Sequence, residues 1–233
     1  MTERLVLFDI DGTLLSAGGI SARSLGEVLI RVFGTTGYMD GYDYSGKTDP
    51  QIVRELMQGA GFSDVEIDAR LPETLERYTA RLGQALRPED VQPKPGITPL
   101  VEALATIPHV TLGLLTGNLE PCARTKLAPL DLNARFGFGA YGSDHEDRYR
   151  LPTLAVARAL KSTGRRFAGK AVVIVGDSIH DVRCGRSLGV RAVAVATGRT
   201  AMGVLAAEAP DALLEDFADT QGSLHAILGE VQG

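Results

Sequence analysis

The stretch LVLFDIDGT, residues 5–13, decides the fold. Four apolar residues run without alternation and stop at Asp-x-Asp-Gly. A short continuous apolar run reads as a strand buried on both faces, as in a parallel sheet. Its carboxyl end then delivers Asp9 and Asp11 into a glycine turn. Three more runs have the same character: VTLGLL (110–115), AVVIV (171–175) and AVAVA (192–196). Segments of helical spacing lie between them. Residues 120–130 and 181–188 read as helices, and so do 153–162, with Leu154, Ala157 and Leu160 or Ala159 in phase. This alternation predicts an α/β fold built on a doubly wound parallel sheet.

Residues 17–91 break the alternation. Leu25, Val28, Leu29 and Val32 lie at helical spacing, as do Ile52, Val53, Leu56 and Met57, and then Leu71, Leu75, Tyr78 and Leu82. Ser63-x-x-Glu66 and Thr48-x-x-Gln51 fit capping boxes, and Pro50 falls in a first helical turn. An all-helical insert after the first strand follows, with Gly18-Gly19 and residues 92–96 (QPKPG) as its hinges. The predicted core is 1–16 with 92–233, and the insert is 17–91.

The chain has 233 residues, 44% of them hydrophobic, enough for a sizeable core without disulfide staples. The formal net charge of -5 argues against a nucleic-acid partner. No apolar run approaches the roughly 18–20 residues of a membrane span, and MTERLVLFDI lacks the pattern of a secretory signal. The two cysteines, Cys122 and Cys184, make no disulfide framework. A cytoplasmic protein without membrane attachment is expected; the oligomeric state is not readable.

In an open α/β sheet the site gathers at the carboxyl ends of the strands. The first strand ends in Asp9 and Asp11, the second run in Thr116-Gly117-Asn118, and the third in Gly176-Asp177-Ser178, with Asp181 four residues after Asp177. Asp9, Asp11, Asp177 and Asp181 would repel one another at close range. A hard divalent cation with oxygen ligands, Mg²⁺ above all, relieves that repulsion. A carboxylate held there can attack phosphorus, and a second can move protons. Thr116, Gly117 and Asn118 offer an anion cradle at a helix start.

FDIDGT, LLTGN and VGDSIHD resemble three motifs of the haloacid dehalogenase superfamily, in matching order across most of the chain. The helical insert resembles that family's C1 cap. The resemblance implies a Rossmann-like core under a mobile cap and a phosphatase acting on a small phosphorylated metabolite. It implies Asp9 as nucleophile, Asp11 as general acid and base, and Thr116 as a phosphate-binding hydroxyl. Mg²⁺ would be held by Asp9, the Asp11 carbonyl and Asp177, with Asp181 in support. General similarity to phosphoglycolate-phosphatase-like proteins suggests a small anionic substrate. Sugar-phosphate mutases share the motifs and stand as the alternative within the family; a non-catalytic phosphate-binding or regulatory module stands outside it.

The family usually places a Lys before the last motif. Here SDHEDRYRLPTLAVA offers only Arg148 and Arg150, and Arg148 is favoured because D-R-x-x-L resembles an Arg-bearing variant of this loop in the family. GYDYSGKT (41–48) matches G-x-x-x-x-G-K-[ST] letter for letter. No buried strand precedes it, and Asp43 would face the phosphates. It reads instead as the cap of a helix near Pro50, with Lys47 turned toward the substrate.

Overall fold

The computed structural model describes residues 3–229. The expected core boundaries at 1 and 233 lie outside the described residues. Six parallel strands form the central sheet: β1 (Arg4–Phe8), β4 (Val110–Leu115), β5 (Gly139–Ala140), β6 (Val172–Gly176), β7 (Arg191–Val195) and β8 (Ala212–Leu214). Their order is β5-β4-β1-β6-β7-β8, so the strand carrying Asp9 lies between those ending at Thr116 and Asp177. β1 pairs with β4 from Arg4 against Val110 to Phe8 against Leu114, and with β6 from Leu5 against Val172 to Phe8 against Val175. That register sets the three strand ends side by side.

The pleat explains the unbroken apolar runs. Val6 and Phe8 join one core with Leu100 and Val101 of α4 (Ile97–Ala105), Ala123 of α5 (Glu120–Leu127) and Ile227 of α9 (Thr220–Leu228). Leu5 and Leu7 point the other way, into Leu151, Ala155 and Ala159 of α6 (Leu151–Thr163). Both faces are covered, so neither needs polar residues. Of the expected set for α6, Ala159 is buried and Leu154 half-buried, whereas Ala157 and Leu160 are exposed. The helix starts two residues earlier than expected, at Leu151-Pro152, and its buried face runs through Leu151, Ala155 and Ala159. Toward the last strands, Val182 of α7 (Ile179–Ser187) packs with Leu205 of α8 (Met202–Ala207) and Ala192 and Ala194.

The helical insert comprises α1 (Ile20–Phe33), α2 (Asp49–Gly59) and α3 (Asp64–Ala85). Leu25, Val28 and Leu29 are buried as their spacing predicts, as are Ile52, Val53, Leu56 and Met57, and Tyr78 and Leu82. The Ser63 capping box is complete. At Thr48 only half forms: its hydroxyl accepts from Gln51 N–H at 3.2 Å, while the Gln51 side chain donates to Glu55. A two-stranded antiparallel ribbon, β2 (Leu15–Ser16) with β3 (Gln92–Pro93), ties the two crossings together. Insert residues Tyr78, Leu25 and Ile52 join the same apolar cluster as Phe8 and Leu119, so the insert packs directly on the sheet unit. Among the described residues no helix is long and apolar enough to cross a membrane.

Candidate active site

Past β1 the chain turns within five residues. The amides of Thr13, Leu14 and Leu15 all donate to the Ile10 carbonyl. Gly12 sits at φ +91°, and a β-carbon there would collide with the Asp177 carboxylate. Glycine is therefore required twice over, by dihedral and by space. The turn leaves Asp9 buried at 5% exposure and sets Asp11 on the cavity wall. Thr13 donates to Asp177 Oδ1 at 2.9 Å, which binds the first strand end to the third.

Carboxylate oxygens of Asp9, Asp177 and Asp181 lie within 4.8 Å of one another, and all three residues are buried. Burial pushes the Asp9 carboxyl up to about 6; Arg148 opposes this, and Asp181 and Asp11 add to it. Asp177 is raised well above the ordinary carboxylate range, first by burial and then by Asp9 and Asp181. Three buried carboxylates against one buried guanidinium are short of positive charge. The donors are all hard oxygens, which fits a hard divalent cation. Asp181 is the most committed of the three, accepting from Ser178 N–H at 3.0 Å and from the Ser178 hydroxyl at 2.6 Å.

Arg148 lies in this cluster and Arg150 does not. A short 3-10 turn, Arg148–Arg150, aims them in different directions. The Arg148 side chain is 3% exposed, 3.3 Å from Asp9 Oδ1 and 2.5 Å from Asp181 Oδ1. Its Nε is buried with no hydrogen-bond partner among the described residues. Arg150 is 69% exposed and pairs loosely with Asp147, at 3.8 Å. Of the two candidate arginines, the fold brings Arg148 to the carboxylates and leaves Arg150 at the surface.

Thr116 is fully buried. Its hydroxyl accepts from Asn118 N–H at 3.3 Å and from Asn118 Nδ2 at 2.8 Å. α5 begins at Glu120, where the expected helix begins, so Thr116 to Asn118 form the loop ahead of it and not its first turn. Asn118 donates to Asp11 Oδ2 at 2.8 Å and accepts from Lys126 at 2.6 Å. Gly117 carries the insert: a β-carbon there would strike the Lys47 carbonyl, and its own carbonyl accepts from Asp49 N–H at 2.8 Å.

Lys47 lines the cavity, but its ammonium is engaged by Glu55 at 2.6 Å and the Tyr42 hydroxyl at 3.1 Å. The GYDYSGKT loop packs on the third strand end, where a β-carbon at Gly46 would collide with Ser178 and His180. It caps α2, in line with its reading as a helix start.

Sequence reasoning missed Lys126 and Asp49. Lys126 is 2% exposed and donates to Asp11 Oδ2 at 2.7 Å. Asp11 and Asp49 keep it charged against the penalty of burial. Asp49 is 8% exposed and accepts from Leu119 N–H at 2.8 Å. A signal for Lys126 existed. Leu119, Cys122, Ala123, Lys126 and Leu127 occupy one helical stripe, and a lysine in that phase is a buried cation. These groups surround a cavity of about 440 Å³ lined by Asp9, Asp11, Thr116, Lys126, Arg148 and Asp177 among others.

The model of the haloacid dehalogenase-like hydrolases matches residues 6–195, and the chain belongs to that family. It is similar to the phosphoglycolate phosphatase of Synechococcus elongatus, 30% identical over 221 residues, which cover 92% of this chain and 93% of that one. The phosphoglycolate phosphatase of Agrobacterium fabrum is 26% identical over 227 residues, 94% of this chain and 92% of its own. Among solved structures, a hydrolase from Pseudomonas syringae has a TM-score of 0.71 at 20% identity, covering 96% of this chain and 98% of that one. A Bacteroides vulgatus protein inferred to be a beta-phosphoglucomutase has a TM-score of 0.69 at 19% identity, covering 100% of this chain and 91% of that one. At these identities the structures share the fold.

Proposed function

We propose that the chain is a Mg²⁺-dependent phosphatase that hydrolyses a small phosphomonoester through an aspartyl-phosphate on Asp9. The observation that carries this is the buried Asp9 carboxylate, with Arg148 at 3.3 Å and Asp177 and Asp181 beside it, in a cavity that Asp11 also lines. Residues 17–91 act as the cap over a core of 1–16 and 92–233.

Asp9, the Asp11 carbonyl and Asp177 would hold the metal, with Asp181 in support. The bound ion supplies charge neutralisation for the phosphoryl oxygens and keeps the carboxylates ionised. An Asp9 oxygen attacks phosphorus, and the bond from phosphorus to the ester oxygen breaks. Asp11 gives its proton to that leaving oxygen. A water then attacks the phosphorus of aspartyl-phosphate, Asp11 takes the water's proton, and Asp9 is released with inorganic phosphate. Arg148, which lines the cavity, offers its guanidinium charge to the phosphoryl oxygens as charge builds there, and the Thr116 hydroxyl offers a further contact. Docking of Gly46 to Asp49 on the strand ends keeps bulk water from the intermediate.

The curated relatives are named for phosphoglycolate, and the cavity suits a substrate of that small, anionic kind. A cytoplasmic location belongs to the same reading. The test is phosphate release from a panel of small phosphomonoesters, with and without Mg²⁺, for the wild type and Asp9→Asn. Metal-dependent release that vanishes in the variant supports the reading. Release unaffected by Asp9→Asn overturns it, and phosphoryl transfer to a second sugar phosphate in place of release would make the chain a mutase.

A further inference from the structure

Asp11 would have to act twice on protons, yet its carboxyl is not held by the turn that carries it. Its side chain is 44% exposed. The two donors that reach it come from the second strand end and the helix behind it. Asn118 Nδ2 and Lys126 Nζ both donate to the same oxygen, Oδ2, at 2.8 and 2.7 Å. Asp11 Oδ1 accepts no protein hydrogen bond among the described residues. A carboxyl oxygen already receiving two N–H donors is a poor place for a proton. A proton on Asp11 therefore sits on Oδ1, the oxygen left for the substrate.

Lys126 is built into this arrangement. It is 2% exposed on α5, and its ammonium also donates to Asn118 Oδ1 at 2.6 Å. One ammonium thus holds Asp11 directly and orients the amide that holds it from the other side. Burying a lysine at this depth is costly unless its charge is used. Asp49, the first residue of α2, faces the same buried region from the insert, and its carboxylate is tied to Leu119 N–H. Arg148 stands at Asp9 and Asp181, so the two buried cations have separate tasks.

We infer that Lys126 is a positioning residue: it pins Oδ2 of Asp11 so that Oδ1 delivers the proton to the leaving oxygen. The inference rests on the phosphatase reading for its chemistry, and on the geometry of Lys126, Asn118 and Asp11 for its placement. The proton passes from Asp11 Oδ1 to the ester oxygen as the phosphorus–oxygen bond breaks. Lys126 neither gains nor loses one.

The test uses the leaving group. A p-nitrophenyl ester departs without a proton, whereas an alkyl ester needs one. In Lys126→Met, kcat/KM for a small alkyl phosphate should fall about 100-fold or more, the span of a general acid. For p-nitrophenyl phosphate it should fall less than about fivefold, since that step needs no acid. Lys126→Gln, which keeps a neutral donor, should fall between the two and guards against a Met variant that fails to fold. An equal loss on both esters would overturn the inference, because Lys126 would then be acting on the phosphoryl group itself. So would unchanged rates on both. A crystal structure of the variant gives a readout without turnover: Asp11 should leave Asn118, and an unmoved carboxyl overturns the inference. If the wild type hydrolyses neither ester, the phosphatase reading fails by itself, and the position of Asp11 in the variant still decides the role of Lys126.

Discussion

The backbone N–H of Asp49, at the head of helix α2, donates to the carbonyl of Gly117 at 2.8 Å. The Asp49 carboxylate accepts in return from Leu119 N–H at the same distance. Two bonds thus clamp the helical insert onto the loop that presents Thr116 and Asn118. Thr48 adds a third, its hydroxyl donating to the Glu146 carbonyl at 2.6 Å, and Arg54 pairs with Glu146 at 2.6 Å. The docked insert therefore touches the loop that organises Asp11.

That clamp leaves no room for a side chain at Gly117. In Gly117→Ala the added methyl group meets the Lys47 carbonyl, and the insert cannot seat. The folded protein should persist, since the clash is relieved by opening. Turnover should drop about 100-fold, the cost of misplacing a site by about an ångström. Steady-state kinetics together with hydrogen exchange at residues 43–49 checks this; normal turnover with normal protection would refute it.

Arg148 should matter to both stability and rate. Arg148→Met leaves Asp9 and Asp181 buried without their cation. Breaking such a pair from one side costs about 3 kcal/mol or more. Turnover should fall about 100- to 1000-fold, as for loss of a donor to a charged transition state. Arg150→Ala, on an exposed side chain, should change neither. Urea unfolding and kinetics on the two variants decide the matter.

Asp49 gives the pH dependence. Burial raises its carboxyl to about 6 from an ordinary 3.8, with Lys126 and the Leu119 amide pulling the other way. Between those values the folded protein holds a proton that the unfolded chain has released. Its contribution to stability is full below 3.8 and is lost as pH rises through about 6. Asp49→Asn keeps an acceptor for Leu119 N–H without the charge. The Tm difference, variant minus wild type, should therefore become more positive from about pH 4 to about pH 7. A difference flat with pH would contradict this.

The acidic cluster should reveal its ion in unfolding experiments. Mg²⁺ at 100 times its Kd should stabilise the wild type by about 2.7 kcal/mol. Asp177→Asn should lose most of that gain. In the presence of a chelator the same variant should melt above the wild type, because burial and the neighbouring Asp9 and Asp181 disfavour the Asp177 charge. Thermal melts with Mg²⁺ and with chelator test both parts.

Much of this site is legible in the chain. The runs ending at Asp9, Thr116 and Asp177 are buried on both faces, so they show as unbroken apolar stretches, and the strand order then sets them side by side. β5 and β8 span two and three residues, too short for any periodicity to register. Arg148 and Arg150 stand two apart in one short turn, and only the packing of that turn against α7 decides which is buried. Lys126 hid because a lysine on a helix reads as solvated, although its phase matches Cys122 and Ala123. Asp49 hid for a similar reason: in a first turn it reads as a favourable charge at a helix start, and its burial depends on the insert docking at Gly117. The sequence carries the elements plainly; what passes between two units is visible only once they meet.

The central claim is the aspartyl-phosphate on Asp9, and the stereochemical course at phosphorus tests it most directly. An ester made chiral at phosphorus with oxygen isotopes and sulfur would be hydrolysed in isotopically labelled water. Two successive in-line displacements, first by Asp9 and then by water, predict retention of configuration. Inversion would mean that water attacks the ester directly, and would contradict the account.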